Sequence, residues 1–160
     1  MTGAVDAGLG SRSTTEWLVC RAGAGLCALP LGPIVEIMRP LPIEPVASPP
    51  PGLRGLSLIR GAPVPVLDLA ALMGEPGAPI GRLVTATVAG RKIAFAVDTV
   101  LGVRRLDPSL SSELPPLLRD SVRDAVAAIG TLDAELLFLL ETGKLLPPDL
   151  FDRLGGEAAP

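Results

Sequence analysis

The chain carries one structural unit twice. The stretch Gly55-Leu56-Ser57-Leu58-Ile59-Arg60-Gly61-Ala62-Pro63-Val64-Pro65-Val66-Leu67-Asp68-Leu69 reads as two β-strands hinged at Arg60-Gly61. Its second strand ends in an acid that opens a short helix. A second copy, Ala128-Ile129-Gly130-Thr131-Leu132-Asp133-Ala134-Glu135-Leu136-Leu137-Phe138-Leu139-Leu140-Glu141, follows 73 residues later. The register aligns Gly61 with Ala134, Val64 with Leu137, Val66 with Leu139, Asp68 with Glu141 and Leu72 with Leu145. A repeated hairpin of this kind restricts the chain to a fold built from two similar halves.

The remaining segments fit that division. Trp17 to Arg21 and Leu26 to Pro30 form a hairpin across Ala22-Gly23-Ala24-Gly25, and Arg82–Val88 with Arg91–Val97 form another over Ala89-Gly90. Leu83 is matched to Leu18, and Val97 to Leu31. Val100 to Leu106 is a further strand. Pro33 suits the first turn of a helix whose apolar side is Ile34, Ile37 and Met38, ended by Pro40 and Pro42. Residues 40 to 52 hold six prolines and read as a stiff extended crossover; a proline-rich ligand for a partner is the alternative. Pro63 and Pro65 cannot donate to a ladder, so their strand needs a free edge or a bulge there. Asp68 caps a helix from Leu69 to Met73 that Gly74 closes. Residues 107–116 read as a loop and Leu117 to Ala127 as a helix. Pro147-Pro148-Asp149 starts a terminal helix stopped by Gly155-Gly156. The domain plan is a flexible tail over 1–15, one domain over 16–146, and a C-terminal helix and tail over 147–160. Turns every eight to twelve residues give a mostly β, two-part chain.

Composition removes several classes of function. Apolar residues make up 48% of the 160, too many for a disordered chain. No apolar run approaches a membrane span, and no secretion signal is recognisable, so the expected location is the cytoplasm, with no direct membrane insertion. Net charge is −3 with the basic residues scattered, and there are four aromatics in all, a poor match to a nucleic-acid footprint. Histidine and tyrosine are absent, which removes imidazole bases and His-ligated metals. No dinucleotide fingerprint or phosphate loop has its required setting. Asp68, Asp98, Asp133 and Glu141 end strands as catalytic acids often do. Asp68 and Glu141 occupy matched repeat positions, however, which favours a shared capping role over one reaction. Cys20 and Cys27 flank a turn and face each other across the hairpin. A redox pair is one reading; two small buried thiols is the favoured one. Neither an enzyme nor a cofactor is expected.

Four blocks in order resemble the CheW-like domains, adaptor modules of bacterial chemosensory signalling. The strand–Arg60-Gly61–strand–Asp68-Leu69 unit is the first. Leu18-Val19-Cys20-Arg21 with Ala28-Leu29-Pro30 and Ile34-Val35-Glu36-Ile37 is similar to the family's opening hairpin and first helical turn. Val97-Asp98-Thr99-Val100-Leu101-Gly102-Val103 looks like its middle strand, and Leu132-Asp133 with the apolar run to Leu140 looks like its last hairpin. The resemblance runs from about Trp17 to Leu146. It implies two intertwined SH3-like five-stranded β-barrel subdomains with strands exchanged between halves, short connecting helices and a C-terminal helix. The chain departs from the family where Leu58 replaces the usual Asn and where Ala134 replaces the usual Gly.

The resemblance also implies a non-catalytic adaptor in two-component signalling. It would couple the cytoplasmic tip of a methyl-accepting chemoreceptor to the regulatory domain of a CheA-type histidine kinase, at membrane receptor arrays reached through its partners. Receptor-binding positions map to Ile34, Val35, Glu36, Arg60, Val97 and Val100. Kinase-binding positions map to Leu56, Ile59 and Val64 in one half and Leu132, Leu136 and Phe138 in the other. Arg60 is the foremost candidate, because a guanidinium beside an apolar groove offers planar donors to a partner. An internal bond from Arg60 to Asp68, Asp98 or Glu36 is the competing assignment. Two other functions compete: a divergent CheW-like module with a changed partner set, and a small hydrolase or ligand-binding β-barrel.

Overall fold

The structure, a computed structural model, describes residues 15–106, 125–147 and 149–152. Ten strands fill it: β1 (Thr15–Ala22), β2 (Gly25–Pro30), β3 (Ile34–Met38), β4 (Leu53–Ile59), β5 (Ala62–Asp68), β6 (Arg82–Val88), β7 (Arg91–Val97), β8 (Thr99–Leu106), β9 (Val126–Leu132) and β10 (Glu135–Leu140). A one-turn helix, α1 (Leu69–Leu72), follows β5, and a 3-10 turn, Thr142–Leu145, follows β10. The strands form two five-stranded sheets, ordered β8-β1-β2-β10-β9 and β3-β6-β7-β5-β4.

The two halves exchange strands. In the first half, hairpin β1–β2 lies in one sheet while β3, β4 and β5 lie in the other; the second half does the reverse with β6–β7 and β8, β9, β10. Each sheet is therefore completed by both halves. The repeat read from the sequence holds residue by residue. β4 and β9 begin and end 73 positions apart, at Leu53 and Val126 and at Ile59 and Leu132. Asp68 donates its amide to the Gly52 carbonyl at 2.7 Å, and Glu141 donates to Ala125 at 2.8 Å, again 73 apart. Both hairpin turns have two consecutive residues at positive φ, Arg60 (53°) and Gly61 (81°), then Asp133 (51°) and Ala134 (66°). That is the type I′ geometry whose twist matches the flanking strands.

The leading hairpins repeat at a different spacing. Ala22 and Val88 each precede a two-residue turn, so the shift is 66. Val84 opposite Phe95 then corresponds to Leu18 opposite Leu29. The expected match of Leu83 to Leu18 is off by one, which would exchange the two faces of the strand; Val97 does correspond to Leu31. At this shift even the irregularities coincide. Ile34 pairs with Ala86 and Val100 with Cys20, and the ladder skips Val35 in one sheet and Leu101 in the other.

Burial explains why these hairpins read as unbroken apolar runs. One face of each points into a shared core of Leu18, Cys20, Leu29, Val84, Ile93 and Phe95. The opposite faces fill separate clusters, Val19, Leu26, Ala28, Leu137 and Leu139 in one sheet and Val64, Val66, Leu83, Ala94 and Ala96 in the other. Strands buried on both faces lose the apolar–polar alternation. Each large side chain placed there contributes about 1.5–3 kcal/mol.

Three expectations change. The helix placed over 33–38 is strand β3: Ile34, Glu36 and Met38 turn inward while Val35 and Ile37 turn outward, a period of two. The β-branched Ile34-Val35 pair suits that pleat, and Pro33 merely precedes it. The helix expected from Leu117 to Ala127 does not reach its expected end, because Val126 and Ala127 belong to β9; residues 117–124, like those of the expected loop 107–116, lie outside the described residues. The tail 1–14 lies outside them too, and Thr15 belongs to β1. Residues 150–152 form a helical turn with Leu150 buried, where the terminal helix was expected; its stop at Gly155-Gly156 is outside the description.

Candidate functional site

Glu36 and Arg60 are brought together from different elements. Glu36 lies on edge strand β3 just past the skipped Val35, and its backbone is held to Thr85 on β6. Arg60 is the first turn residue between β4 and β5. Its Nη2 donates to Glu36 Oε1 at 2.7 Å and its Nε to Oε2 at 3.2 Å, a bidentate pair. The Arg60 hydrogen bond holds the Glu36 carboxyl below its ordinary value, against a smaller opposing effect of burial; the charges of Arg60 and Lys92 add to the lowering. The Glu36 side chain is 24% exposed and that of Arg60 70%. Of the five N–H donors of the guanidinium, those not aimed at Glu36 are open to a partner. The internal bond and an outward-facing Arg60 therefore coexist.

The other positions expected at a receptor site divide by burial. Val35 stands fully outward on β3; Ile34 is half-buried against the shared core. Val100, on β8, is half-buried at the position equivalent to Ile34. Val97 is buried, its side chain taken up by the core. The positions expected at a kinase site divide the same way. Ile59 and Val64 are core residues. Leu56 is half-buried, bonded through its backbone to Glu44 of the proline-rich crossover at 2.7 and 2.8 Å. A Cβ on Gly55 would strike the Glu44 carbonyl, so glycine is what lets the crossover lie against β4. In the other half Leu136 is 55% exposed, Leu132 half-buried, and Phe138 half-buried against the shared core. Leu58, where the family usually carries Asn, is 69% exposed.

Asp68 has the expected capping role. Its Oδ1 accepts from the Ala71 amide at 3.1 Å, and its Oδ2 accepts from Arg54 at 2.9 Å. Glu141, its repeat equivalent, precedes the 3-10 turn without a side-chain cap and pairs with Lys144 at 3.6 Å. Cys20 and Cys27 are directly opposite on β1 and β2, both buried and both free thiols. Burial pushes Cys20 up to about 12 and Cys27 well above its ordinary value. Neither is therefore a thiolate at neutral pH. Among the described residues no three His, Cys, Asp or Glu side chains are grouped as a metal site. No helix among them is long and apolar enough to cross a membrane.

Two features escaped sequence reasoning. Arg21 on β1 holds Glu135 on β10 through two bonds of 3.0 Å, keeping that carboxyl below its ordinary value. The partners are 114 residues apart, so no local signal marks them. The second is a recess lined by Leu56, Arg60, Pro63, Pro65, Arg91, Lys92 and Phe151 among others. Leu56, Arg60 and the prolines stand out in the sequence separately, but nothing there joins them to Arg91, Lys92 and Phe151.

A family model described as CheW-like domain matches residues 16–148. The chain is similar to Protein FrzA of Myxococcus xanthus, 28% identical over 141 residues that cover 85% of this chain and 88% of that one. It is 28% identical over 94 residues to a protein of Rhizobium etli designated a probable chemotaxis protein CheW, covering 57% of this chain and 61% of the relative. Its fold is similar to the crystal structure of the scaffolding protein TtCheW from Thermoanaerobacter tengcongensis, with a TM-score of 0.66 at 21% identity, over 79% of this chain and 88% of that one.

Proposed function

This chain belongs to the CheW-like domain family of non-catalytic chemosensory adaptors, and on that premise we propose that it couples chemoreceptors to a CheA-type histidine kinase. The observation that carries the reading is the bidentate Arg60–Glu36 pair, which ties the β4–β5 turn to edge strand β3 and leaves the guanidinium outward. Beside it Val35 and Ile37 supply exposed apolar surface. Charge-assisted donors next to an apolar strip suit the side of a receptor helix. Receptor contact in this reading involves Ile34, Val35, Glu36, Arg60 and Val100, with Val97 supporting from the core.

The kinase regulatory domain would meet the barrel ends, at Leu56 in one half and at Leu132, Leu136 and Phe138 in the other, with Ile59 and Val64 shaping the first patch from beneath. Contacts of this kind bury roughly 1,200 Å² or less and gain strength by repetition in an array. The protein would work in the cytoplasm, held at the membrane by its partners.

The test is reconstitution with receptor and kinase. Kinase stimulation is expected only when receptor is present, and Arg60→Glu should abolish receptor coupling while the fold persists. Unchanged coupling in that variant removes Arg60 from the site. The exposed Leu58 favours a second reading, a changed partner set. A pull-down that recovers neither receptor nor kinase would select it.

A further inference from the structure

A recess opens where β5 and β7 part, and we propose that it binds an extended acidic, aliphatic segment of a partner polypeptide through Arg91 and Lys92. The opening follows from the two prolines. Pro63 and Pro65 have no N–H to offer β7, and the parallel ladder starts only at Val66 opposite Ala94. In the other sheet Leu136 and Phe138 stand where the prolines stand here. There the equivalent ladder starts two residues earlier, at Leu137 opposite Leu26. Proline thus leaves unzipped in one half what is closed in the other.

The space left has a definite chemistry. Its volume is about 350 Å³, the lower end of ligand-sized cavities. That suits a few side chains of an extended segment, not a helix. Leu56, Pro63 and Pro65 give it an apolar floor, while Arg60, Arg91 and Lys92 line it and, among the described residues, no acid does. The Arg60 charge is answered by Glu36. Arg91 instead lies over the Phe151 ring, 4.8 Å from its centroid, and neither it nor Lys92 has a carboxylate partner within ion-pair distance among the described residues. In a chain of net charge −3, three basic side chains line one greasy surface. A carboxylate flanked by aliphatic side chains answers both features; a bare anion would leave the floor wet.

The inference rests on the adaptor reading only for who the partner is, because Leu56 and its neighbours form one of the two kinase patches. Its chemistry can be tested on the protein alone. The probe is a fluorescein-labelled, end-capped octapeptide of alternating leucine and glutamate, followed by anisotropy, with matched glutamine and lysine peptides. The glutamate peptide should bind saturably, about tenfold or more tightly than the glutamine peptide, and the lysine peptide not at all. Arg91→Glu with Lys92→Glu should cost about tenfold or more. Pro65→Val, which restores an N–H facing β7, should also weaken binding with every charge in place. Circular dichroism checks that each variant is folded. Equal binding of the glutamate and glutamine peptides, binding indifferent to Arg91→Glu with Lys92→Glu, competition by inorganic phosphate as strong as by peptide, or no binding would each overturn the proposal. None of these outcomes bears on receptor coupling at Arg60–Glu36.

Discussion

Two nitrogens of Arg60 grip both carboxylate oxygens of Glu36, joining a hairpin turn to an edge strand 24 residues away in sequence. The pair is exposed enough that solvent screens most of its worth to stability. Its value is geometric, since it fixes which donors of Arg60 face outward.

A charge swap separates those two roles. Glu36→Arg combined with Arg60→Glu should melt near the wild-type temperature, because an ion pair can re-form. Receptor binding should nonetheless fall by about tenfold or more, because the outward donors are gone. Full restoration of binding would show that the pair serves only as a brace.

Acid should weaken the fold through two carboxylates. Glu36 and Glu135 are both held below their ordinary value of 4.5, chiefly by the hydrogen bonds from Arg60 and Arg21. A group whose folded value is depressed contributes stability above its unfolded value, lost as pH falls through the folded one. The melting temperature should therefore be flat from pH 7 to about 5 and decline below 4.5, with a shallower decline in Arg21→Ala and Arg60→Ala. Identical slopes in all three proteins would contradict this.

Asp68 and Glu141 should differ although they are repeat equivalents. Asp68 is buried, caps α1 and binds Arg54, so Asp68→Ala should cost about 1–2 kcal/mol in urea unfolding. Glu141 caps nothing with its side chain, and Glu141→Ala should stay within about 0.5 kcal/mol. Equal losses would mean that the two acids share more than position.

Ala134 pays for a left-handed conformation that its counterpart Gly61 adopts freely, with φ at 66° and 81° respectively. Ala134→Gly should stabilise by about 0.5–1 kcal/mol, the steric relief outweighing the added freedom of the unfolded chain. A loss of stability would place an unrecognised contact on the Ala134 methyl.

What could be read from the sequence was what is local. Arg60-Gly61 and Asp133-Ala134 announce their turns by position between apolar runs, and the repeat follows from them. β3 reads as a helix in the sequence because five residues with apolar side chains at Ile34, Ile37 and Met38 satisfy a helical spacing as well as a pleat. Which sheet β3 joins depends on β6, nearly 50 residues on, and nothing between Pro33 and Met38 states it. In the candidate site Arg60 and Glu36 were both legible, the first from its turn and the second from resemblance. Arg91, Lys92 and Phe151 were not, because the recess they line exists only after β5, β7 and the C-terminal turn have packed.

The exchange of strands has a consequence for how the protein is made. When β1 to β5 leave the ribosome, one sheet has two of its strands and the other has three. Neither is complete until β6 to β10 have been made. The nascent first half must wait with unfinished borders, and in crowded synthesis it could find those missing strands on a sister polypeptide instead.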